Sequence, residues 1–331
     1  MKANMSVSEA PLISIVTACY NSTPFLKRVH QSLAAQSLKD FEWVCVDDRS
    51  TDDTVALLSR LPSPGDGGMQ VYQLPQNTGG PVAQAVGTSH ARGRVVVWLD
   101  HDDELTPFAM EQVRSNWESI KADDDVCAVF HRATNPVDGS LIGLELAPHS
   151  RFTSSKLTNL HPDVSDGLMA FKAEAIRRFA TVETMEPVAL NGSLMMEMTN
   201  DMAFVVAEGP PIKYYHRDNP DSQTRNERIS RKYVHSYARI LDRADRYALG
   251  NPLRWISHTA TMLRYSKQVH GRFLEPLRYM RHVVPKLLTI ACLPLGWIAD
   301  RRKKAPNVVE IPYFRPEQAN GLPDLWRGRI E

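Results

Sequence analysis

The alternation of strand and helix signals over the first 131 residues restricts the fold more than any other feature of the sequence. Nearly continuous apolar runs at 12–19, 41–46, 94–99 and 126–130 predict strands buried on both faces. An alternating run at 69–74 predicts a further strand, and helical patterns lie between these runs. Strands that alternate with helices predict right-handed crossovers and an α/β fold with a doubly wound, mostly parallel sheet.

The pattern is less regular after residue 131. Helical spacing predicts helices at 171–179 and 188–198, and alternating runs predict strands at 202–206 and 212–215. From about Thr224 the sequence predicts a helical, basic region.

Composition excludes several classes of protein. The chain has 331 residues, 43% of them hydrophobic, and a formal net charge of +1. These values argue against a small disulfide-stapled domain, a uniformly basic nucleic-acid binder and an acidic disordered tail. The cysteines are not spaced as metal ligands, and they predict small buried side chains in a reducing compartment: Cys19, Cys45, Cys127 and Cys292.

Polar side chains follow three of the predicted strands where each strand ends. Tyr20 and Asn21 follow the first strand, Asp47 and Asp48 end the second, and residues 100–103 follow the fourth. Parallel strands of a doubly wound sheet bind ligands at their carboxyl ends. The sequence therefore predicts one site at this edge of the sheet.

Two acidic segments at this edge have alternative interpretations. Three like charges at 100–103 favour a divalent metal that bridges a phosphate group, and the alternative is a solvated turn before the next helix. The Asp47–Asp48 pair offers acceptors for the base or ribose of a nucleotide. The alternative for that segment is helix capping by Ser50 and Thr51, and both interpretations are compatible.

Four motifs in order carry a resemblance to a known family. They are Val16-Thr17-Ala18-Cys19-Tyr20-Asn21, Asp47-Asp48-Arg49-Ser50-Thr51-Asp52, Asn77-Thr78-Gly79-Gly80 and Leu99-Asp100-His101-Asp102-Asp103. Over roughly residues 11–222 the chain resembles the inverting glycosyltransferases of family 2. No Gly-x-Gly-x-x-Gly or Gly-Lys-Ser/Thr loop is present in the sequence, which argues against a dinucleotide enzyme or a phosphate-loop kinase.

The resemblance implies a GT-A-type fold with a nucleotide-diphosphate sugar across the sheet edge. It assigns nucleotide-sugar binding to Ala18, Tyr20, Asn21, Asp48, Gly79, Gly80 and Asp100. In that assignment Ala18 and Tyr20 contact the base or ribose, Asp48 accepts a hydrogen bond from the base, and Asp100 lies near the ribose. The two glycines let the backbone pass close to the nucleotide.

The resemblance also implies a divalent cation, Mn²⁺ or Mg²⁺. Asp102 and Asp103 would hold it against the diphosphate, and a His in the segment 211–217 completes the metal site in some family members. His216 is the best match for that role. The alternatives are an edge-strand histidine with no ligand role, and contact of Arg217 with the diphosphate.

The match is weakest at the catalytic base. Inverting transfer needs a carboxylate that removes the proton of the acceptor hydroxyl. The family supplies it from a Glu-Asp pair, and that pair falls at Glu186-Pro187 here, so the second acid is missing. Glu186 is the predicted base, with Glu197 and Asp201 as rivals. If none reaches the acceptor, the chain is instead an impaired glycosyltransferase-fold scaffold that binds nucleotide or a protein partner.

The near-zero net charge is the sum of a basic stretch and an acidic remainder. From Pro211 to Ala305 there are 20 Lys+Arg and 7 Asp+Glu, or 20 − 7 = +13, and the remainder carries 19 − 31 = −12. An apolar run at 287–299 precedes a basic cluster at 300–304, a pattern typical of an interfacial membrane anchor. The alternative is a buried cap in which 287–299 forms a core helix. With no recognised module, nucleic-acid binding is not predicted.

The predicted organisation follows these changes in character. Residues 1–10 form a flexible N-terminus, 11–222 the catalytic domain, 223–305 a basic helical region and 306–331 a tail. The expected partners are a nucleotide-diphosphate sugar, a saccharide or lipid-linked acceptor, and an anionic membrane surface. No signal peptide or bilayer-spanning run is visible, and the expected location is cytoplasmic, peripheral at the inner face of the cell membrane.

Overall fold

The computed structural model describes residues 10–143, 145–153, 167–185, 191–219, 228–242, 252–302 and 307–308. The strands are β1 Ile13–Cys19, β2 Phe41–Asp47, β3 Met69–Gln73, β4 Val95–Trp98, β5 Glu104–Leu105, β6 Val126–His131, β7 Ala133–Thr134, β8 Leu141–Ile142, β9 Arg151–Phe152, β10 Leu168–Lys172, β11 Ala203–Val206, β12 Lys213–Tyr214, β13 Arg228–Ile229 and β14 Asn307–Val308. The helices are α1 Thr23–Ala34, α2 Thr54–Leu58, α3 Gly80–His90, α4 Ala109–Ile120, α5 Ala173–Phe179, α6 Val182–Met185, α7 Asn191–Met198, α8 Arg231–Leu241, α9 Pro252–His270, α10 Val283–Ala291 and α11 Leu293–Arg302.

The main sheet has the strand order β3-β2-β1-β4-β10-β6-β11-β9. Strands β1, β2, β3, β4, β6 and β11 run in the same direction, whereas β9 and β10 are antiparallel to their neighbours. The predicted doubly wound, mostly parallel sheet is confirmed. All the parallel strands therefore present their carboxyl ends at one edge.

Helices cover both faces of this sheet. Apolar side chains of α1, α2 and α4 pack on one face, represented by Leu26, Leu58 and Val113. Side chains of α3 and α5 pack on the other, represented by Val82 and Ile176. Burial of both faces explains why the strands are continuous apolar runs and not alternating patterns.

The predicted helix at 171–179 is present from Ala173 to Phe179, and the structure corrects its start by two residues. Leu168–Lys172 forms strand β10, which lies antiparallel between β4 and β6, and α5 begins only at Ala173. Short apolar runs do not distinguish a buried strand from a buried helix by periodicity. Here the position between two central strands determines the outcome. Of the predicted helix at 188–198, the described part begins at Asn191.

A second, small sheet has the order β5-β12-β7-β8. Its strands β5 and β7 follow closely after β4 and β6, on the carboxyl side of the main sheet. Strand β12 pairs antiparallel with β5, which places Lys213 opposite Leu105 and Tyr214 opposite Glu104. The small sheet thereby brings residues 213–219 next to the segment that follows β4.

The C-terminal helices form a further apolar cluster that includes Val234, Trp255 and Met262. Helix α11 lies close to α9, because a Cβ added at Gly296 would stand 2.7 Å from the Cβ of Leu263. Among the described residues no single helix is long and apolar enough to cross a bilayer. The pair α10 and Leu293–Arg301 reaches the required length and hydropathy together, with a bend of 49° between the two helices.

Candidate functional site

The site lies where the order of the strands reverses. Strands β2 and β3 extend the sheet on one side of β1, and β4 lies on its other side. Connections that leave two neighbouring strands in opposite directions open a crevice at their carboxyl ends, and ligands bind in such crevices. The ends of β1 and β4 are Cys19 and Trp98, so the predicted segments 18–21 and 100–103 line the same crevice.

Hydrogen bonds join the loops that follow β1 and β2. The backbone N–H of Asn21 donates to Oγ of Ser50 at 2.9 Å, and the N–H of Thr51 donates to Oδ1 of Asn21 at 2.9 Å. Asn21 has a φ of 49°, a left-handed conformation that asparagine tolerates better than most residues. Asn21 therefore holds the two loops together, while the neighbouring Tyr20 leaves 43% of its surface exposed.

The end of β1 is also tied to the loop after β4. A ring nitrogen of His101, Nδ1, lies 3.2 Å from the carbonyl oxygen of Ala18. The imidazole of His101 lies 6.0 Å from the ring of Phe25 on α1. These contacts fix the backbone on both sides of the crevice.

Asp48 is buried beneath the turn that opens α3. Its Oδ1 accepts hydrogen bonds from the N–H of Thr78 at 2.7 Å and the Thr78 hydroxyl at 2.9 Å, and its Oδ2 accepts from the N–H of Gly79 at 2.7 Å. Burial raises the pKa of Asp48 to about 6, although these hydrogen bonds and the charge of Lys232 act in the opposite direction. Both carboxylate oxygens hold the Thr78–Gly79 turn in place.

The two glycines of this turn differ in what they allow. Gly79 has a φ of 92°, which strains any residue with a Cβ. A Cβ added at Gly80 would meet nothing within 4 Å. The backbone at Gly80 therefore borders open space at the start of α3, as expected for a place where a ligand approaches the main chain.

Lys232 is a residue of this site that the sequence analysis missed. It lies on α8, far along the chain, is 1% exposed, and donates from Nζ to the carbonyl oxygen of Thr78 at 2.7 Å. The basic C-terminal region was predicted to face a membrane, but one of its lysines supports the Thr78–Gly79 turn. Its place in a run of basic residues gave no signal that it would be buried.

Lys213 is a second missed residue, and it pairs with two of the predicted acids. Its Nζ lies 2.6 Å from Oδ2 of Asp103 and 3.0 Å from Oδ2 of Asp100. Desolvation favours the neutral amine of Lys213, but the two carboxylates outweigh it and raise its pKa above the ordinary value. Asp103 is 1% exposed and Asp100 is an exposed side chain, so Asp100 remains accessible from the crevice.

Asp102 lies between Asp100 and Asp103 in sequence and has different surroundings. Its Oδ2 accepts a hydrogen bond from Nδ2 of Asn219 at 2.7 Å. Arg28 of α1 donates to the backbone carbonyl of Asp102 and forms an ion pair with Asp218. Within the described part of the chain, Oδ1 of Asp102 has no hydrogen bond, so one carboxylate oxygen is available to a ligand.

His216 does not join Asp102 and Asp103 in a ligand set. Its backbone N–H donates to Oδ1 of Asp103 at 2.9 Å, and its ring Nε2 lies 3.4 Å from Oε2 of Glu104. Over the described ranges no group of three or more His, Cys, Asp or Glu side chains is placed to hold a metal ion. The predicted set of three protein ligands is thus not assembled, because Lys213 and the backbone of residue 216 engage Asp103.

Comparison with known proteins identifies the family. The family model described as glycosyl transferase family 2 matches residues 14–179, half of the chain. The chain belongs to this family. The match contains all four motifs and the strand-end segments described above, and it confirms the resemblance seen in the sequence.

Relatives of this family 2 chain match it over about a third of its length. It is 35% identical over 108 residues to the succinoglycan biosynthesis protein ExoO of Rhizobium meliloti, which is 33% of this chain and 30% of ExoO. It is also 35% identical over 102 residues to the putative teichuronic acid biosynthesis glycosyltransferase TuaG of Bacillus subtilis, which is 31% of this chain and 40% of TuaG. The matched stretches thus span about a third of the length of these relatives.

A solved structure shares the fold over most of the chain. S. aureus TarS 1-349 in complex with UDP has a TM-score of 0.53 and 15% sequence identity, and the match covers 87% of this chain and 89% of TarS 1-349. The complex of the same protein with UDP-GlcNAc gives a TM-score of 0.52. The likeness confirms the GT-A-type fold and, at this identity, concerns the fold alone.

The predicted catalytic base of this family 2 chain, Glu186, lies outside the described residues. Its rival Glu197 forms an ion pair with Arg239 of α8, whose Nε lies 2.8 Å from Oε1 of Glu197. Asp201 lies in the turn before β11, at the amino end of a parallel strand and so at the edge opposite the crevice. Asp201 therefore lies away from the crevice, and the carboxylate of Glu197 is engaged by Arg239.

Proposed function

We propose that the protein is an inverting, metal-dependent glycosyltransferase. It moves a sugar from a nucleotide-diphosphate sugar to a saccharide or lipid-linked acceptor in surface glycan synthesis. The observation that carries this proposal is the crevice between the ends of β1 and β4, where an exposed aromatic ring, a glycine turn and accessible carboxylates lie together. Family membership supplies the reaction class.

The nucleotide is proposed to lie across the ends of β1 and β2. The exposed ring of Tyr20 offers a stacking surface for the base, and the open backbone at Gly80 admits the nucleotide close to α3. Asp48 supports this surface from below through Thr78 and Gly79. The complexes of TarS with UDP and UDP-GlcNAc make a uridine nucleotide the first donor to test.

Asp100 and Asp102 fit a divalent cation, Mn²⁺ or Mg²⁺, as carboxylate ligands. Asp100 is accessible, and Asp102 has an oxygen without a hydrogen bond among the described residues. Hard cations prefer such oxygens and keep positions for phosphate. When bound, the cation would neutralise charge on the leaving diphosphate. Arg28 and Asn219 orient Asp102, and Lys213 holds the loop by its ion pairs.

The transfer itself needs one proton acceptor. A carboxylate takes the proton of the acceptor hydroxyl while that oxygen forms a bond to the anomeric carbon. The bond between the anomeric carbon and the diphosphate oxygen breaks on the opposite face, so the configuration inverts and the nucleoside diphosphate leaves. Glu186 remains the proposed base, because Glu197 is engaged by Arg239 and Asp201 lies at the other edge.

A non-catalytic scaffold is the second candidate. The observations that favour it are the ion pair of Glu197 with Arg239 and the position of Asp201 at the opposite edge of the sheet, with Pro187 where the family places an acid. Such a protein would bind the nucleotide through the same crevice but release no sugar.

The acceptor and location are proposed from the relatives and the basic helices. The names of ExoO and TuaG refer to succinoglycan and teichuronic acid biosynthesis, and both suggest a glycan acceptor for this chain. A nucleotide-sugar donor and a lipid-linked acceptor would meet at the cytoplasmic face of the cell membrane. We therefore propose a peripheral location there.

Turnover with nucleotide sugars tests the enzyme proposal. Purified full-length protein is incubated with Mn²⁺ or Mg²⁺, a panel of nucleotide sugars and candidate acceptors, and free nucleoside diphosphate is measured. We expect release with a uridine nucleotide sugar, and a loss of about 10²–10³-fold in Asp102→Asn because one preorganised electrostatic group is removed. Asp124→Asn, an exposed acid before β6, is the matched control and should keep full activity.

Binding separates the two candidates. If wild type and Asp102→Asn release equally little nucleotide with every donor, the enzyme proposal is wrong. A thermal shift with UDP in that same protein would then support the scaffold. Absence of both turnover and nucleotide binding would reject both.

A further inference from the structure

Both helices of the pair α10–α11 expose large apolar side chains, which together we call the apolar face. Its members are between 38% and 68% exposed: Val283, Val284, Leu287, Leu288, Ile290, Leu295, Trp297 and Ile298. On α10 they recur at steps of three, four and seven residues, so they share one side of the helix. Contiguous exposed apolar patches on this scale mark interaction surfaces.

The opposite side of the pair, which packs on the rest of the protein, is made of smaller residues. Thr289 and Cys292 are buried, and the hydroxyl of Thr289 lies 3.7 Å from Sδ of Met280. Gly296 packs against Leu263 of α9. The distribution is therefore the reverse of that in a core helix, since the largest apolar groups face away from the protein. The predicted alternative of a buried cap does not describe this face.

Basic residues outnumber acids in the helical region that carries the apolar face. Residues 252–302 contain nine Lys and Arg against Glu275 and Asp300, a net charge of 9 − 2 = +7, and Arg281, Lys286 and Arg301 of this set lie in or beside the helix pair. Both acids have partners within the helical region: Glu275 pairs with Arg278 at 2.9 Å, and Asp300 accepts a hydrogen bond from Gln268. Arg301 stands over the ring of Trp297 with 3.7 Å between its Cζ and the ring centroid. The cations in and beside the helix pair thus outnumber the acids there, which are Asp300 and Asp242, whose carboxylate accepts hydrogen bonds from the backbone N–H groups of Arg281 and His282.

The length and shape of the pair suit the surface of a bilayer. The helices have 9 and 10 residues and bend by 49° at Cys292. Each is about 15 Å long at 1.5 Å per residue, whereas spanning takes about 20 residues in one direction. A short, bent pair with one apolar side and flanking cations lies in the interface plane, where tryptophan and arginine side chains are favourable.

We propose that the apolar face docks on a lipid bilayer that contains anionic head groups. Val, Leu, Ile and Trp side chains enter the boundary of the acyl region, and Arg281, Lys286 and Arg301 meet the head-group phosphates. The proposal rests on the peripheral location given under the proposed function and names the surface responsible for it, but it is independent of the proposed transfer reaction.

A second copy of the chain is the principal rival occupant. Two copies related by a two-fold axis would bring the same patch of each together. That contact would place two sets of cations side by side with few acids between them, which is unfavourable. An anionic bilayer offers the complementary charge.

Vesicle co-sedimentation of the full-length protein tests the proposal. Vesicles of phosphatidylcholine with 30% phosphatidylglycerol should bind wild type, and pure phosphatidylcholine should bind it at least tenfold more weakly, since each cation near an anionic surface contributes about fivefold. Leu287→Asp with Trp297→Asp should abolish binding. Val137→Asp, which changes a 91% exposed apolar residue in the β7–β8 turn, is the matched control and should bind as wild type does.

A variant that removes positive charges separates the electrostatic contribution to vesicle binding from the apolar contribution. Arg281→Gln, Lys286→Gln and Arg301→Gln together should weaken binding to anionic vesicles about 100-fold, and Arg60→Gln with Arg114→Gln, exposed cations on the catalytic part, should change it little. The proposal is overturned if wild type binds anionic and neutral vesicles equally well, or if the double aspartate variant binds as wild type does. A second result would also overturn it: wild type is a dimer in sedimentation velocity and does not bind vesicles, and the double aspartate variant is a monomer.

Hydrogen exchange in the wild-type protein keeps the test independent of variant folding. Anionic vesicles should slow amide exchange across residues 283–298 and leave β1 and β2 unchanged. Protection elsewhere with none at 283–298 would show that another surface binds the membrane, and the proposal would be wrong. The crevice at the ends of β1 and β4 plays no part in these measurements, so their failure is distinguishable from failure of the proposed transfer reaction.

Discussion

The crevice at the ends of β1 and β4 and the C-terminal helix pair differ in which side chains they bury. In the crevice, the carboxylates of Asp48 and Asp103 are buried, and the protein itself supplies their partners: Asp48 is held by Thr78 and Gly79, and Asp103 by Lys213. On the apolar face of α10–α11, large apolar groups such as Trp297 are exposed, and the described protein supplies nothing to cover them.

The two regions therefore differ in whether their side chains find partners within the protein or require a second surface. Buried charges with internal partners form a fixed framework, which binds a ligand without rearranging. Exposed apolar groups are unfavourable in water until another surface covers them. The crevice is therefore expected to be complete apart from its ligands, and the helix pair is expected to be complete only against a partner.

The largest effect should come from removing the cation of the framework. Lys213→Met leaves the carboxylate of Asp103 buried without its partner, so we expect the free energy of unfolding to fall by about 3–5 kcal/mol. Urea unfolding measures it. Lys121→Met, which removes the lysine of an exposed pair with Glu118, is the control and should cost at most about 1 kcal/mol.

A double variant sharpens this prediction. Asp103→Asn with Lys213→Met removes both charges, and it should recover much of the stability lost by Lys213→Met alone. Losses that simply add would mean that the two side chains do not interact, contrary to the geometry of the crevice.

The next largest effect concerns Asp48 and pH. Because burial raises the pKa of Asp48 from 3.8 to about 6, the native state binds this proton more tightly than the unfolded state does. The stability contributed by the group is therefore full below pH 4 and is lost as pH rises through 6, by about 3 kcal/mol at most. Urea unfolding of wild type and Asp48→Asn between pH 4 and 7 should show this falling component in wild type only. Parallel curves would contradict it.

The smallest effect tests how the helix pair is attached. Gly296→Ala puts a Cβ 2.7 Å from that of Leu263, and overpacking of this kind should cost about 1–3 kcal/mol. Gly192→Ala is the matched control, since a Cβ there meets nothing within 4 Å and alanine favours the helix by up to about 1 kcal/mol. Thermal unfolding should therefore shift in opposite directions. Equal shifts would mean that α11 does not pack on α9 as described.

Much of the framework could be predicted from the sequence, because its signals are local. Apolar runs that end in Asn21, Asp48 and Asp100 predicted both the sheet and the edge where ligands bind, and the structure places these residues at one crevice. The sequence predicted too that the region from about Thr224 is helical and basic, as α8, α9 and α10 are.

The remainder depends on contacts between distant residues. Strand β12 has two residues, too few for any periodicity, so nothing local indicated that Lys213 would be buried between Asp100 and Asp103. The sequence predicts no strand at Leu168–Lys172, and it places the last two residues of β10 in the helix at 171–179, because the neighbours of β10 in the sheet determine its conformation. The role of Lys232 likewise depends on the contact between α8 and the turn at Thr78, which no local sequence pattern indicates.

The hydrogen bond from Lys232 to Thr78 also determines where the chain can be cut. The predicted boundary between the catalytic domain and the basic helices at residue 222 suggests that a small catalytic fragment could be made by removing the helices. Such a fragment would keep every strand of the main sheet and still lose the lysine that supports the floor of the crevice. Helix α8 therefore belongs to the crevice, and grafting the first 222 residues onto another tail would transfer the strands without the lysine that completes the crevice.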